Sequence, residues 1–216
     1  PFNIFGTSNF LYTTNGIDVI SYNCKKNKKK IYNNQLNLLF VGSTSFWHGL
    51  DNCIHAIHRY QIKSSIKINL HIVGNVEKDL HDQLTKIILN YKLESQIIFH
   101  GILKGEELDK LYDMSNIGIG SIGLEKIKSK YRSELKAREY CAVGLPFIAS
   151  SIDRDFPSSI KFRFIVKYEQ KINFEEVIEW YNQLPNNIPI AMRKYALNNL
   201  DYNIKVKEII NRLNEC

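Results

Sequence analysis

From Leu36 to about Val166, short apolar runs alternate with stretches in which apolar residues recur every three or four positions. The runs read as strands covered on both faces and the stretches as amphipathic helices, an alternation that predicts an α/β fold with a parallel sheet and crossover helices. Strands are expected at Leu38-Leu39-Phe40-Val41-Gly42, Ile68 to Val73, Ile97-Ile98-Phe99, Ile117-Gly118-Ile119-Gly120, Phe147-Ile148-Ala149 and Phe164-Ile165-Val166. Helices are expected over about 50–62, where Leu50, Ile54, Ala56 and Ile57 follow Gly49, through Leu80, Leu84, Ile87 and Ile88, and over about 105–113 and 134–142. Beyond the last strand, Phe174, Val177, Ile178 and Trp180, then Ile204, Val206, Ile209, Ile210 and Leu213, mark the packing stripes of two or three more helices.

Gly42, Gly74 and Gly101 lie at or near the carboxyl ends of strands, the edge at which open α/β sheets bind ligands. The segment Ser133–Ser150 reads as loop, helix, glycine stop and buried strand in succession. Ser133 is the expected N-cap, Gly144 ends the helix and Pro146 prevents its resumption. The free N–H groups of Glu134, Leu135 and Lys136 in that first turn would favour a phosphate, with Glu139 one turn deeper. An ordinary helix-to-strand connection is the plain alternative. A polar, lysine-rich loop leads from Gly120 to Ser133, and loops beyond about 12 residues in compact domains tend to be functional or mobile.

The length of 216 residues suits one generous domain with extra terminal elements, and a 44% hydrophobic fraction is enough to build its core. The formal charge of +7 suits nucleic acid, an anionic membrane or a phosphorylated small molecule. Much of it sits in Lys25-Lys26-Asn27-Lys28-Lys29-Lys30, which is predicted to be a solvated linker, with a membrane-surface contact as the next reading. Nucleic acid ranks last, because this cluster lacks interleaved stacking aromatics. Cys24, Cys53, Cys141 and Cys216 lie far apart without metal-ligand spacing, which predicts reduced thiols in a cytoplasmic protein, Cys53 and Cys141 serving as small core residues. No run reaches the roughly 20 apolar residues of a membrane span. The phosphate motifs GxGxxG and GxxxxGK[ST], and the hydrolase motifs HExxH and GxSxG, do not occur, so a site must be assembled from loops.

Taken together, Phe40-Val41-Gly42, Trp47-His48-Gly49-Leu50-Asp51, Leu70-His71-Ile72-Val73-Gly74, Phe99-His100-Gly101, Glu107-Leu108 with Leu111-Tyr112, Ser133-Glu134-Leu135-Lys136, Arg138-Glu139-Tyr140 and Gly144-Leu145-Pro146 form a pattern. In order and spacing it resembles the C-terminal half of GT-B glycosyltransferases of the group 1, family 4 type. Asn15-Gly16-Ile17-Asp18 is similar to the segment with which those enzymes leave their N-terminal domain. The resemblance implies a Rossmann-like doubly wound sheet and a donor site for a nucleoside-diphosphate sugar, with no cofactor and no metal. By that likeness Glu139 would accept the ribose hydroxyls, and Ser133, Glu134, Leu135 and Lys136 would meet the diphosphate. Gly42, Ser43 and His48 would line it, and the backbone at Ile102 and Leu103 would hold the base.

Several positions depart from the pattern. Where many relatives carry Arg after the first glycine and Lys before the next, this chain has Ser43 and His48. Lys126, Lys128, Lys130 and Arg132 are the candidates to restore that charge. The first of the family's two glutamates falls on Tyr131, which leaves recognition of the donor sugar open. The implied organisation is an interdomain segment and lysine-rich linker over 1–35, a nucleotide-sugar-binding domain over 36–200 and a C-terminal helix over 201–216. Pro1 in place of an initiator Met suggests a piece of a longer chain whose N-terminal GT-B domain holds the saccharide or lipid-linked acceptor, at the inner face of a membrane in one reading. A non-catalytic nucleotide-binding or protein-interaction module is the alternative.

Overall fold

The computed structural model describes residues 13–168 and 170–214, so Pro1 to Tyr12, expected to be a remnant of another domain or of a hinge, lie outside the described residues. The chain forms β1 (Gln35–Val41), α1 (Leu50–Gln61), β2 (Lys67–Val73), α2 (Lys78–Tyr91), β3 (Ile97–Gly101) and α3 (Glu106–Met114). It continues through β4 (Ile117–Ile119), α4 (Leu135–Val143), β5 (Phe147–Ala149), β6 (Arg163–Ile165), α5 (Phe174–Gln183), α6 (Ile188–Asn199) and α7 (Tyr202–Asn214). The six strands are parallel, in the order β3-β2-β1-β4-β5-β6. The α/β fold with a parallel sheet expected from the alternation is present, in the doubly wound form that the resemblance implied, and three helices follow the sheet.

Leu36, Leu38, Leu39 and Phe40 on β1 are fully buried, as a strand covered on both faces requires. Strand order runs outward in opposite directions from β1 and β4, so these neighbours form the switch point at which a crevice opens beyond their carboxyl ends. The loops leaving the two strands meet there. The Ile122 N–H donates to the His48 carbonyl at 3.1 Å, and a Cβ on Gly49 would come within 2.6 Å of the Gly123 nitrogen.

Helix α4 stands over this crevice and is the most deeply packed helix edge of the site. Ala137, Arg138, Tyr140, Cys141, Ala142 and Val143 are all buried. Tyr140 lies over Gly118, where an added Cβ would sit 2.7 Å from the ring. Its hydroxyl accepts from the Val41 N–H at 3.0 Å and lies 3.1 Å from both the Leu39 and Ile119 carbonyls, pinning α4 to the ends of β1 and β4. Gly144 takes φ +79° as the helix stop, as expected. Cys53 and Cys141 are core residues, and burial pushes the Cys53 thiol up to about 12.

In the lysine-rich segment Lys26, Lys29 and Lys30 are exposed as expected, while Lys25 and Lys28 are not. Lys25 is buried, and its Nζ donates to the Tyr112 and Ser115 carbonyls at 2.9 and 2.7 Å. Lys28 donates to the Tyr181 and Leu184 carbonyls at 2.7 and 2.5 Å. These ammoniums add charged donors to the carbonyls at the C-termini of α3 and α5, a favourable place for a cation. A run of like charges hides such roles, because sequence does not say which helix ends lie beside it. Upstream, Ile17 and Val19 join the core and Ile17 exchanges backbone bonds with Leu200 and Tyr202. The described part of the connector therefore packs onto the sheet domain. Among the described residues no helix is long and apolar enough to cross a membrane.

Replacing Tyr140 by Phe is expected to leave the half-buried Val41 N–H and the fully buried end of the ring without their bonds and to cost about 1–3 kcal/mol. Equilibrium denaturation should show a lower midpoint at unchanged slope, and an unchanged midpoint would count against the pinning role.

Candidate functional site

The crevice lies beyond the carboxyl ends of β1 and β4, between the loops leaving those strands and the first turn of α4. Gly42 and Gly74 lie back to back at the ends of β1 and β2. A Cβ on Gly74, at φ +123°, would sit 2.2 Å from the Gly42 carbonyl oxygen, so only glycine lets these strand ends approach so closely.

Ser133 is not the N-cap. The cap position is Glu134, with extended backbone at φ −81°, ψ 126° and no side-chain cap bond, and helix α4 starts at Leu135. Ser133 is diverted because its Oγ accepts from the Asn15 N–H at 2.8 Å. The Glu134 carboxylate turns away from its own helix: Oε2 accepts from the Ser121 N–H at 2.9 Å, and the buried Oε1 has no hydrogen bond. With no capping side chain and no acidic residue in the first turn, the opening N–H groups of α4 are left for an anion.

Lys136 lies along the end of β1. Its Nζ is 4.3 Å from the centre of the Phe40 ring, and its Cε would be 3.5 Å from a Cβ on Gly42. Burial lowers its pKa to about 8, with Glu134 and Glu139 opposing the shift. His48 packs edge-on to the same Phe40 ring, with centroids 5.2 Å apart. Its Nδ1 accepts from the Ser45 N–H at 2.9 Å, which places the ring proton on Nε2 as a donor. Burial, then Lys136 and Arg132, push its pKa down to about 3, so the ring is neutral at physiological pH.

Beside His48, where the sequence pattern lacked a cation, stand the expected Lys136 at the strand end and one of the four loop candidates, Arg132. The other loop candidates are used or placed differently. Lys126 pairs with Asp51 at 2.5 Å, Lys130 lies 4.9 Å from the centre of the Tyr168 ring, and Lys128 closes the 3-10 turn Leu124–Ile127. That turn and a β-bridge between Tyr131 and Ile152 give order to a segment expected to be a long loop. Tyr131 itself is exposed, as are Ser43 and Ile102, while Leu103 is half-buried.

Glu139 is half-buried one turn into α4, as its spacing predicted, and its carboxylate faces the hydroxyls of Tyr22 and Tyr112. Burial raises its pKa, while Tyr22, Lys136 and Tyr112 oppose the rise. The Tyr112 hydroxyl is buried and closes no hydrogen bond of its own. Sequence reasoning brought Ser133, Glu134, Leu135, Lys136 and Glu139 together with Gly42, Ser43 and His48, and the fold places them at one edge. It missed Asn15, Tyr22, Tyr112 and Ser121 as neighbours of this helix. No periodicity or local motif reports a contact that spans the whole sheet. Among the described residues no group of three or more His, Cys, Asp or Glu side chains could hold a metal ion.

A family model described as glycosyl transferases group 1 matches residues 22–196. A comparison with curated proteins finds no match. Among solved structures, HepE from Anabaena in complex with UDP and glucose superposes with a TM-score of 0.70 at 15% identity, covering 94% of this chain and 56% of that one. The sucrose-phosphate synthase of Thermosynechococcus elongatus gives 0.68 at 15% identity, covering 93% and 51%. TarM of S. aureus gives 0.69 at 15% identity, covering 98% and 40%. The chain therefore spans about half the length of these proteins, and at such identities the likeness concerns the fold.

Affinity for inorganic pyrophosphate is expected to fall as pH rises through about 8, because Lys136 then loses its charge. Isothermal titration from pH 7 to 9.5 should show that decline flattened in Lys136→Arg, whose guanidinium stays protonated. Equal pH profiles for the two proteins would remove Lys136 from the site.

Proposed function

Because this chain belongs to the group 1 glycosyl transferases, we propose that it is the donor-binding portion of an enzyme that transfers a sugar from a nucleoside diphosphate sugar. The observation that carries this reading is the grouping of an uncapped α4 first turn, Lys136 and the Glu139 carboxylate at the switch point of the sheet. In it, the N–H groups of the first turn and the Lys136 ammonium hold the diphosphate, and Glu139 accepts the ribose hydroxyls. A carboxylate suits that task because hydrogen bonds to charged groups are worth about 1.5–3 kcal/mol each. The base lies along the backbone at Ile102 and Leu103, so side-chain identity there leaves the choice of base undetermined.

Departure of the nucleoside diphosphate builds negative charge on its terminal phosphate. Lys136, the α4 N–H groups and the Nε2–H of neutral His48 are preorganised donors for that charge, and such stabilisation counts most when water is excluded. On this reading the transfer is hexosyl and metal-independent. A preceding domain, reached through the connector that begins at Asn15, supplies the face for a saccharide or lipid-linked acceptor in surface polysaccharide or glycolipid synthesis. A cytoplasmic location with contact at the inner membrane face fits such an acceptor. UDP and glucose in the Anabaena HepE structure support the choice of donor class.

The substitution of Tyr131 for an expected carboxylate and of Ser43 for an expected arginine favours a second reading, a nucleotide-binding module without transfer. Glu139→Ala separates the two. Donor-dependent transfer by the full-length protein should drop by two orders of magnitude or more, and the loss of nucleotide affinity should be larger for a ribonucleoside diphosphate than for its 2′-deoxy analogue. Unchanged transfer would show that the ribose assignment is wrong.

A further inference from the structure

Asn15 precedes Ser133 by 118 positions, yet the two are joined twice. The Asn15 amide N–H donates to Ser133 Oγ at 2.8 Å, and its side-chain Nδ2 donates to the Ser133 carbonyl at 2.5 Å. Its own carbonyl accepts from Arg138 Nε at 2.6 Å, while Arg138 Nη1 donates to the Glu134 carbonyl at 2.9 Å. One connector residue therefore grips the approach to α4 and, through a single guanidinium, the carbonyl of its cap residue. Asn15 itself is exposed, so burial does not force its two bonds to Ser133, whereas its carbonyl answers the buried Arg138 guanidinium. The pair of bonds to Ser133 at the entrance of one helix requires another reason.

The rest of the connector keeps the grip in place. A Cβ on Gly16 would meet the Tyr202 ring at 3.0 Å and Lys205 Cγ at 3.1 Å, which wedges the backbone against α7. The Ile17 N–H donates to the Leu200 carbonyl, and its own carbonyl accepts from the Tyr202 N–H. Five residues further on, the Tyr22 hydroxyl faces the Glu139 carboxylate. The connector thus reaches α4 at both groups assigned to the nucleotide, the first turn and the glutamate below it.

We propose that Asn15 is a positioning residue for nucleotide binding: it holds the first turn of α4 in the orientation that receives the diphosphate, and so couples the connector to the donor site. This inference rests on the reading of α4 as the diphosphate site. Coupling between two places is reciprocal, so a bound nucleotide must tighten the Asn15 clamp by the same factor by which the clamp improves nucleotide affinity.

The test uses the full-length protein with UDP, GDP and ADP in turn. In the wild type, saturation with the nucleotide that binds should slow hydrogen exchange of the amides at 15–18 by roughly five-fold or more, the size of a typical coupling. Asn15→Ala, which removes the Nδ2 bond, should weaken the same nucleotide by a few-fold, and an altered fold alone would not reproduce the nucleotide-dependent exchange. If a nucleotide binds but exchange at 15–18 is unmoved, Asn15 has no positioning role. If no nucleotide binds the wild type, the donor-site reading itself fails. Should Asn15→Ala not fold, the exchange measurement on the wild type decides alone.

Discussion

A guanidinium with no exposed surface organises this domain. Arg138 ion-pairs with Asp153 at 2.8 Å and with Asp155 at 2.5 Å, and Asp155 also takes Lys205 at 2.7 Å. A charge removed from water must be matched by partners or its burial becomes prohibitive, and the partners here come from four parts of the chain. They are the carbonyl of Glu134 at the start of α4, Asp153 and Asp155 after β5, and the connector through Asn15, and a fourth part, α7, joins by placing Lys205 on Asp155. Burial alone would lower the Arg138 pKa, but Asp153 and Asp155 reverse the shift, so the group stays charged in the interior. Because these elements converge on one cation, none of them can move far without leaving a buried charge unmatched.

The same economy of charge shapes the crevice. The chain carries +7, and several of its basic residues have structural work away from the crevice. Lys25 and Lys28 close helix C-termini, Lys126 holds Asp51, and Arg138 and Lys205 serve the interior. Lys136 and Arg132 remain beside the α4 first turn, near a neutral histidine whose Nε2–H is the available donor. The site is electropositive through a few placed groups and backbone dipoles, and net charge says little about it.

Much of the sheet was legible in the sequence, because buried parallel strands such as Leu38–Val41 and Ile68–Val73 are continuous apolar runs with glycine at their ends. The order of elements and the position of Glu139 in α4 followed from that pattern and from spacing. Local chemistry read less well where a distant residue competed. Ser133 is a good N-cap by type, but Asn15 takes its hydroxyl. The lysine run looked solvated because nothing nearby in sequence announces the carbonyls of Ser115 and Leu184 that it meets. The relation of Tyr22 and Tyr112 to Glu139 escaped notice for the same reason, since it exists only after the connector and α3 have packed.

The burial of α4 also limits how such a domain can diversify. Six of its nine residues are locked into the core, and Tyr140 is bound to two strands at once, which leaves Leu135, Lys136 and Glu139 as the positions open to the crevice. Drift in this helix is therefore confined almost wholly to three side chains. The exposed positions Ser43, Ile102 and Tyr131 in the loops after β1, β3 and β4 can change without disturbing the core. A lineage built on this scaffold would keep one conserved way of gripping its ligand's charged portion and would acquire new preferences by remodelling loops.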